Sequence, residues 1–358
     1  MRLFRCQKCQ NLLYFENVAC NQCGAVLGFL PETLTLHALE PAGNGLWETV
    51  GDRQLVKLCK NYQVFSVCNW ILPAESPEDF CLSCRFNEVI PDLRVAGNQQ
   101  RWQTLENAKR RLLYSLLRLK LPLTPRSIDP SGLGFAFLAD EDPAHSQAPA
   151  EKVLTGHANG LITLNIAEAD SSERERVREE MGEPYRTILG HFRHESGHYY
   201  WDRLIHQTDK MEAFRAVFGD ERLDYSEALK RHYQQGPPSN WHESYISSYA
   251  TTHPWEDWAE SWAHFLHLID TLETAYHFGL RLRPTGEPSE VSHDFDAYAE
   301  PDFQRLIEHW LPLTVALNSL NRSMGLGHAY PFVLSQPIID KLHFIHQLVH
   351  PFHKAGTT

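Results

Sequence analysis

Apolar residues fall into register first between positions 102 and 117. Trp102, Leu105, Ala108, Leu112, Leu113, Leu116 and Leu117 recur at three- and four-residue steps. That spacing predicts an amphipathic helix with basic residues on its other face, closed by Leu121-Pro122. The pattern then shortens. Phe135 and Phe137, and the run from Val153 to Ile166, are β-prone, and Asn159-Gly160 inside that run predicts a hairpin turn. Glu141 to Ala150 reads as a loop, and the charged stretch from Asp170 to Glu183 as a solvated helix or lid. From Pro184 onward the period is helical again. One long helix is expected over Tyr185 to Ile205 with Pro184 in its first turn, and Trp255, Trp258 and Trp262 mark a second buried helix. No internal repeat is present. The pattern is that of an α+β protein, a small sheet followed by packed helices.

Composition refines this picture at one end of the chain only. With 358 residues, 42% hydrophobic and 22% charged, the sequence suits an ordinary globular protein of about two domains. A net charge of −12 argues against binding nucleic acid through its phosphates. The start, Met1-Arg2-Leu3-Phe4-Arg5-Cys6, lacks the apolar run of a secretory signal, and no stretch has the length of a transmembrane helix. A cytoplasmic protein with no membrane partner is therefore expected. All eight cysteines lie within the first 84 residues. In a reducing compartment that segregation favours metal ligation over disulfides. Cys6-Gln7-Lys8-Cys9 and Cys20-Asn21-Gln22-Cys23, ten residues apart, have zinc-ribbon spacing, with iron as the lesser rival for four thiolates. Cys59, Cys68, Cys81 and Cys84 offer a second four-thiolate site, although only Cys81-Leu82-Ser83-Cys84 keeps the tight pair. A boundary near residue 95 would separate a cysteine-rich module, 1–95, from a second domain, 96–358.

The candidate chemistry lies in that second part. His194-Glu195-Ser196-Gly197-His198 places two imidazoles one helical turn apart on one face, able to share a metal ion. Glu195, next to the first histidine, is the expected general base toward a zinc-activated water. Gly197 leaves room for a close neighbour. A third ligand is needed. The metzincin pattern would require Gly and His where the chain has Trp201 and Leu204, which excludes that class. The gluzincin solution takes a glutamate from a later helix, and Trp255-Glu256-Asp257-Trp258-Ala259-Glu260 supplies one. Glu256 is the expected ligand and Glu260, one turn on, would orient a ligating histidine. His264, on the same side, is a further outer-sphere candidate. Tyr249 precedes Glu256 by seven residues, a spacing similar to that of the lethal-factor-like gluzincins, and is the first choice of oxyanion donor. Tyr245 and His253 stand behind it. His343, His346, His350 and His353 read as a histidine-rich helix face rather than a metal site.

Taken together, these blocks resemble the bacterial zinc-binding metallopeptidases that carry an N-terminal zinc ribbon. The resemblance spans nearly the whole chain. Besides the cysteines it rests on Leu154-Thr155-Gly156-His157, Gly160-Leu161-Ile162-Thr163, Gly190 through Trp201, His253 through Glu260, and Asn318 through Gly325. It implies a zincin-like fold, mostly helical with a small sheet, and peptidase chemistry with one catalytic and one or two structural zinc ions. A peptide or protein substrate is implied, without a named one. Hydrolysis of a peptide or isopeptide bond is the leading expectation. A silent zinc-ribbon adaptor and a zinc hydrolase of non-peptide amides are the alternatives. The segment from Asn318 to Gly325 is expected to be a turn or cap.

Overall fold

A computed structural model describes residues 1–140, 153, 155–181, 186–285 and 290–355. The expected loop over 141–150 and the residues Pro184-Tyr185 lie outside the described residues, and the helix expected from Tyr185 begins instead at Ile188, because Thr187 is extended and serves as its cap. The chain forms two compact units. The first comprises residues 1–117 and 122–180, the second 118–121 and 181–358.

In the first unit, β1 (Phe4–Arg5) and β2 (Leu12–Leu13) form a short antiparallel ladder around the Cys6 turn. A five-stranded antiparallel sheet follows, in the order β3 (Val26–Leu30), β4 (Thr35–Gly43), β5 (Leu46–Thr49), β6 (Leu55–Leu58) and β7 (Ile71–Pro73). Helix α1 (Lys60–Phe65) lies between β6 and β7 in the chain. Leu30, Leu39, Val56 and Ile71 make the core of this sheet. Gly28 is required there, because a Cβ would lie 2.4 Å from Ile71 Cγ2.

Immediately after Cys84, β8 (Asn87–Val89) opens a second sheet. Helix α2 (Asn98–Arg118) intervenes before β9 (Gly134–Leu138), β10 (Gly156–Ala158) and β11 (Leu161–Asn165), and the strand order is β10-β11-β9-β8. β8, β9 and β11 run parallel, while β10 and β11 form the expected hairpin. Asn159 and Gly160 at its turn have φ of 48° and 83°, the double left-handed geometry that favours this dipeptide. Helix α3 (Ser171–Met181) carries its charges in solvent-exposed pairs such as Arg178 with Glu175, as a solvated helix should.

The predicted apolar face of α2 is buried, but its basic residues are not all on the other side. Lys109 and Arg110 are buried as well. Glu106 compensates them: Lys109 Nζ donates to Glu106 Oε1 at 2.9 Å, and Arg110 Nη1 lies 3.6 Å from Glu106 Oε2. Asn87 also accepts from Lys109, and Arg110 Nη1 donates to the Val67 carbonyl at 2.7 Å. Buried charge is tolerated here because each group has a partner.

The second unit is helical. It contains α4 (Ile188–Leu204), α5 (Met211–Phe218), α6 (Tyr225–Gln235), α7 (Pro254–His277), α8 (Phe303–Ser323) and α9 (Gln336–Ala355), with a small ladder between β12 (Arg281–Leu282) and β13 (Val291–Ser292). Thr187 caps α4 by accepting from Gly190 N at 2.9 Å. α4 and α7 pack directly against each other. A Cβ on Gly197 would lie 2.9 Å from Ala259 Cα and 3.2 Å from Trp262 Cβ, so glycine permits the approach. Trp258 Nε1 donates to Gly197 O at 2.8 Å and Trp262 Nε1 to Ser196 Oγ at 3.1 Å, which fastens the pair. α9 joins α7 through the buried pair Lys341–Asp257 at 2.6 Å. The expected consequence of Gly197→Ala is a loss of about 1–3 kcal/mol of stability from overpacking. Thermal melts of the variant beside wild type check this, and an unchanged melting temperature would contradict the tight contact.

Candidate metal centres

Three groups of metal-competent side chains come together among the described residues. Cys6, Cys9, Cys20 and Cys23 form the first, with Sγ–Sγ separations of 3.7 Å for Cys6–Cys23 and 3.6 Å for Cys9–Cys20. Zn–S bonds near 2.3 Å in a tetrahedron put sulfurs about 3.8 Å apart, so four thiolates at this spacing fit one ion. Cys20 is lowered to about 6, chiefly by the Cys23 backbone N–H, and Cys9 is pushed up to about 12.

The second group is Cys59, Cys68, Cys81 and Cys84, with Cys68–Cys81 at 3.6 Å. All four are buried, whereas Cys23 of the first group is exposed. The irregular spacing is explained by α1: Cys59 sits at its N-cap, and the helix plus its left-handed cap at Ser66 return the chain to Cys68. Cys81 N donates to Cys59 Sγ and Trp70 N to Cys68 Sγ, both at 3.4 Å, as backbone amides do toward thiolates.

The third group is His194, His198 and Glu256. α4 presents both histidines on one face and α7 brings the glutamate against them. Glu256 Oε2 lies 3.0 Å from His194 Nε2 and 3.5 Å from His198 Nε2. Ligands about 2.0–2.1 Å from zinc are spaced roughly 3.3 Å apart in a tetrahedron, which brackets these values. Oε2 is buried and accepts no hydrogen bond, so its lone pairs are left for an ion. Burial opposes charge on both partners, but their mutual attraction prevails. Glu256 is held well below the usual carboxylate range by His198 and His194, and His194 is raised well above its ordinary value by Glu256 and Glu260.

Glu260 Oε1 accepts from His194 Nδ1 at 2.7 Å, which turns Nε2 toward Glu256. His264 is one turn further along α7. Its Nδ1 is 2.9 Å from the Tyr330 hydroxyl, and burial lowers it to about 4, so it is neutral. Asn318 holds Tyr330 by its backbone, donating to Tyr330 O at 2.7 Å and accepting from Tyr330 N at 2.9 Å. The Asn318–Gly325 segment ends α8 at Ser323, with Gly325 at φ 76°. Glu195 is buried on α4 between the two histidines. Tyr249 comes close, its ring 6.0 Å from that of His194.

Other candidates are engaged elsewhere. His253 is the N-cap of α7: Nδ1 accepts from Trp255 N at 3.1 Å and Nε2 donates to Leu223 O at 3.0 Å. Both of its nitrogens are thus occupied by backbone, in a capping role. Tyr245 faces Lys341 Nζ at 4.3 Å. His343 stacks on Phe303 and His346 Nε2 donates to Glu300 O at 2.8 Å, while the His353 side chain lies outside the described residues. Sequence reasoning missed Tyr225, at the start of α6, whose hydroxyl donates to Glu256 Oε1 at 2.7 Å. Only the Asp224 cap signal preceding it marks its position, and no spacing rule links it to Glu256.

Residues 98–348 match the model of a family described as "Putative zinc-binding metallo-peptidase", and residues 3–95 match a zinc-ribbon domain. Relatives named "Uncharacterized protein Rv2568c" in Mycobacterium tuberculosis (strain H37Rv) and "Uncharacterized protein Mb2598c" in Mycobacterium bovis are each 44% identical over 352 residues, covering 98% of this chain and 95% of theirs. No solved structure matches the chain. The chain therefore belongs to this zinc-binding metallo-peptidase family and carries an N-terminal zinc ribbon.

Proposed function

We propose that the protein is a gluzincin-type zinc peptidase that hydrolyses a peptide or isopeptide bond, with His194, His198 and Glu256 as the ligands of the catalytic ion. The observation that carries this reading is the meeting of two histidines from α4 with a buried, hydrogen-bond-free carboxylate oxygen from α7. When bound, zinc supplies Lewis acidity, which acidifies water and polarises a carbonyl. Glu195 takes the proton of the attacking water and delivers it to the leaving nitrogen. Glu260 fixes the His194 ring so that Nε2 faces the ion. Tyr249 is the candidate donor to the developing oxyanion. Burial and the nearby Glu256 raise its pKa, so the hydroxyl keeps the proton it must donate.

The two cysteine groups hold one structural zinc each, in a ribbon that is structural or recruits a protein substrate. No described helix is long and apolar enough to cross a membrane. The free cysteines, gathered as two four-thiol groups and not as disulfides, support action in a reducing compartment, the cytoplasm, on a peptide or protein substrate.

The test is zinc content and peptide-library cleavage, for wild type beside a His194→Ala, His198→Ala double variant. About three zinc ions per chain falling to about two, with loss of cleavage, is the expected result. An unchanged zinc count would overturn the assignment and favour a zinc-ribbon adaptor. Loaded zinc without cleavage of any peptide would point to a non-peptide amide.

A further inference from the structure

Glu256 has two oxygens, and the structure treats them differently. Oε1 accepts from the Tyr225 hydroxyl at 2.7 Å. Oε2 accepts no hydrogen bond and faces Nε2 of both histidines. Tyr225 arrives from α6, an element carrying none of the metal-competent groups, and Asp224 holds that helix start by accepting from Glu227 N at 2.9 Å. The Tyr225 ring packs edge-on against His253 and Trp255, with centroids 5.4 and 6.1 Å away, so the hydroxyl has little freedom to leave Oε1. A carboxylate with both oxygens free can bind an ion through one or both, and the choice sets how many positions remain for water and substrate.

We propose that Tyr225 is a positioning residue that holds Glu256 to one-oxygen coordination, by occupying Oε1 so that Oε2 alone faces the ion. This rests on the peptidase reading of the His194, His198 and Glu256 site and extends it to a residue outside the motif. Tyr225 has a single hydroxyl proton and gives it to Glu256.

The experiment exchanges the metal at the histidine site of the full-length protein for cobalt, leaving zinc in the cysteine sites, in wild type and Tyr225→Phe. Metal content is measured first. About one cobalt and two zinc ions per wild-type chain are required for the assignment of the site. No cobalt in wild type overturns the site assignment itself. Given loaded wild type, the expected result for Tyr225→Phe is a five-coordinate cobalt spectrum, with visible bands weaker than those of wild type. Affinity in chelator competition is expected to fall about 10- to 100-fold. A melting temperature of the metal-free variant equal to that of wild type shows that packing is intact. If cobalt loads with a wild-type spectrum and affinity, Tyr225 does not control the coordination of Glu256 and the proposal falls. Should the phenylalanine variant fail to fold, Tyr225→Leu is read in the same way, since it too offers Oε1 no donor.

Discussion

Glu195→Gln is expected to lower kcat/KM on any peptide substrate by about 10²–10⁴-fold, while zinc per chain stays unchanged. The substitution keeps the side chain's size and its place on α4 between His194 and His198. It removes the ability to accept a proton from water and return it to the leaving nitrogen. Glu195 is not among the three side chains, His194, His198 and Glu256, that could hold a metal ion, so metal should remain bound. Steady-state cleavage together with metal content on one preparation checks this. If turnover survives the substitution, the base lies elsewhere. If zinc is lost with turnover, the result speaks only to metal binding and Glu195 has a structural share in the site.

The second large effect belongs to the buried cysteine group. Cys68→Ser is expected to remove one zinc ion per chain and to abolish the cooperative unfolding transition of the first unit. Structural zinc supplies about 10–16 kcal/mol of apparent binding free energy in small zinc-finger peptides, more than most domains have to spare. All four sulfurs are buried here, and Arg110 donates to the carbonyl of Val67, directly before Cys68. Burial opposes the charge on Arg110, and Cys68 is the largest of the negative groups that offset it, ahead of Glu106. Losing the metal would leave apolar-enclosed thiols and a less compensated buried guanidinium together. Circular dichroism melts with zinc counting decide it. A variant that keeps a sharp wild-type transition with one zinc fewer would show that the site does not hold the unit together.

How far these sites could be seen in the sequence follows from how local each one is. The His194–His198 face is set by helical period alone, and the Asn159-Gly160 hairpin by two left-handed residues. Glu256 and Glu260 were legible because one turn of α7 separates them and tryptophans on the same helix demanded burial. The basic residues of α2 misled, since Lys109 and Arg110 are paid for by Glu106 and by groups far away in sequence, Asn87 and the Val67 carbonyl. Tyr225 was invisible for a related reason: it meets Glu256 across 31 positions, through a tertiary contact that no local pattern encodes. The capping role of His253 was hidden too, because a histidine before Pro254 carries no distinctive cap signature.

The strand that follows Cys84 has a consequence for taking the molecule apart. β8 comes from the cysteine-rich stretch, yet its only ladder partner among the described residues is β9, on the far side of α2 in the chain. Removing the first 95 residues would not release a self-sufficient remainder. It would strip the sheet of its outermost member and leave the backbone amides and carbonyls of β9, a strand with Phe135 and Phe137 wholly buried, open along one side. Such an uncovered margin invites pairing with other chains and aggregation. A deletion series is therefore better cut to keep Asn87–Val89 with the part that contains β9.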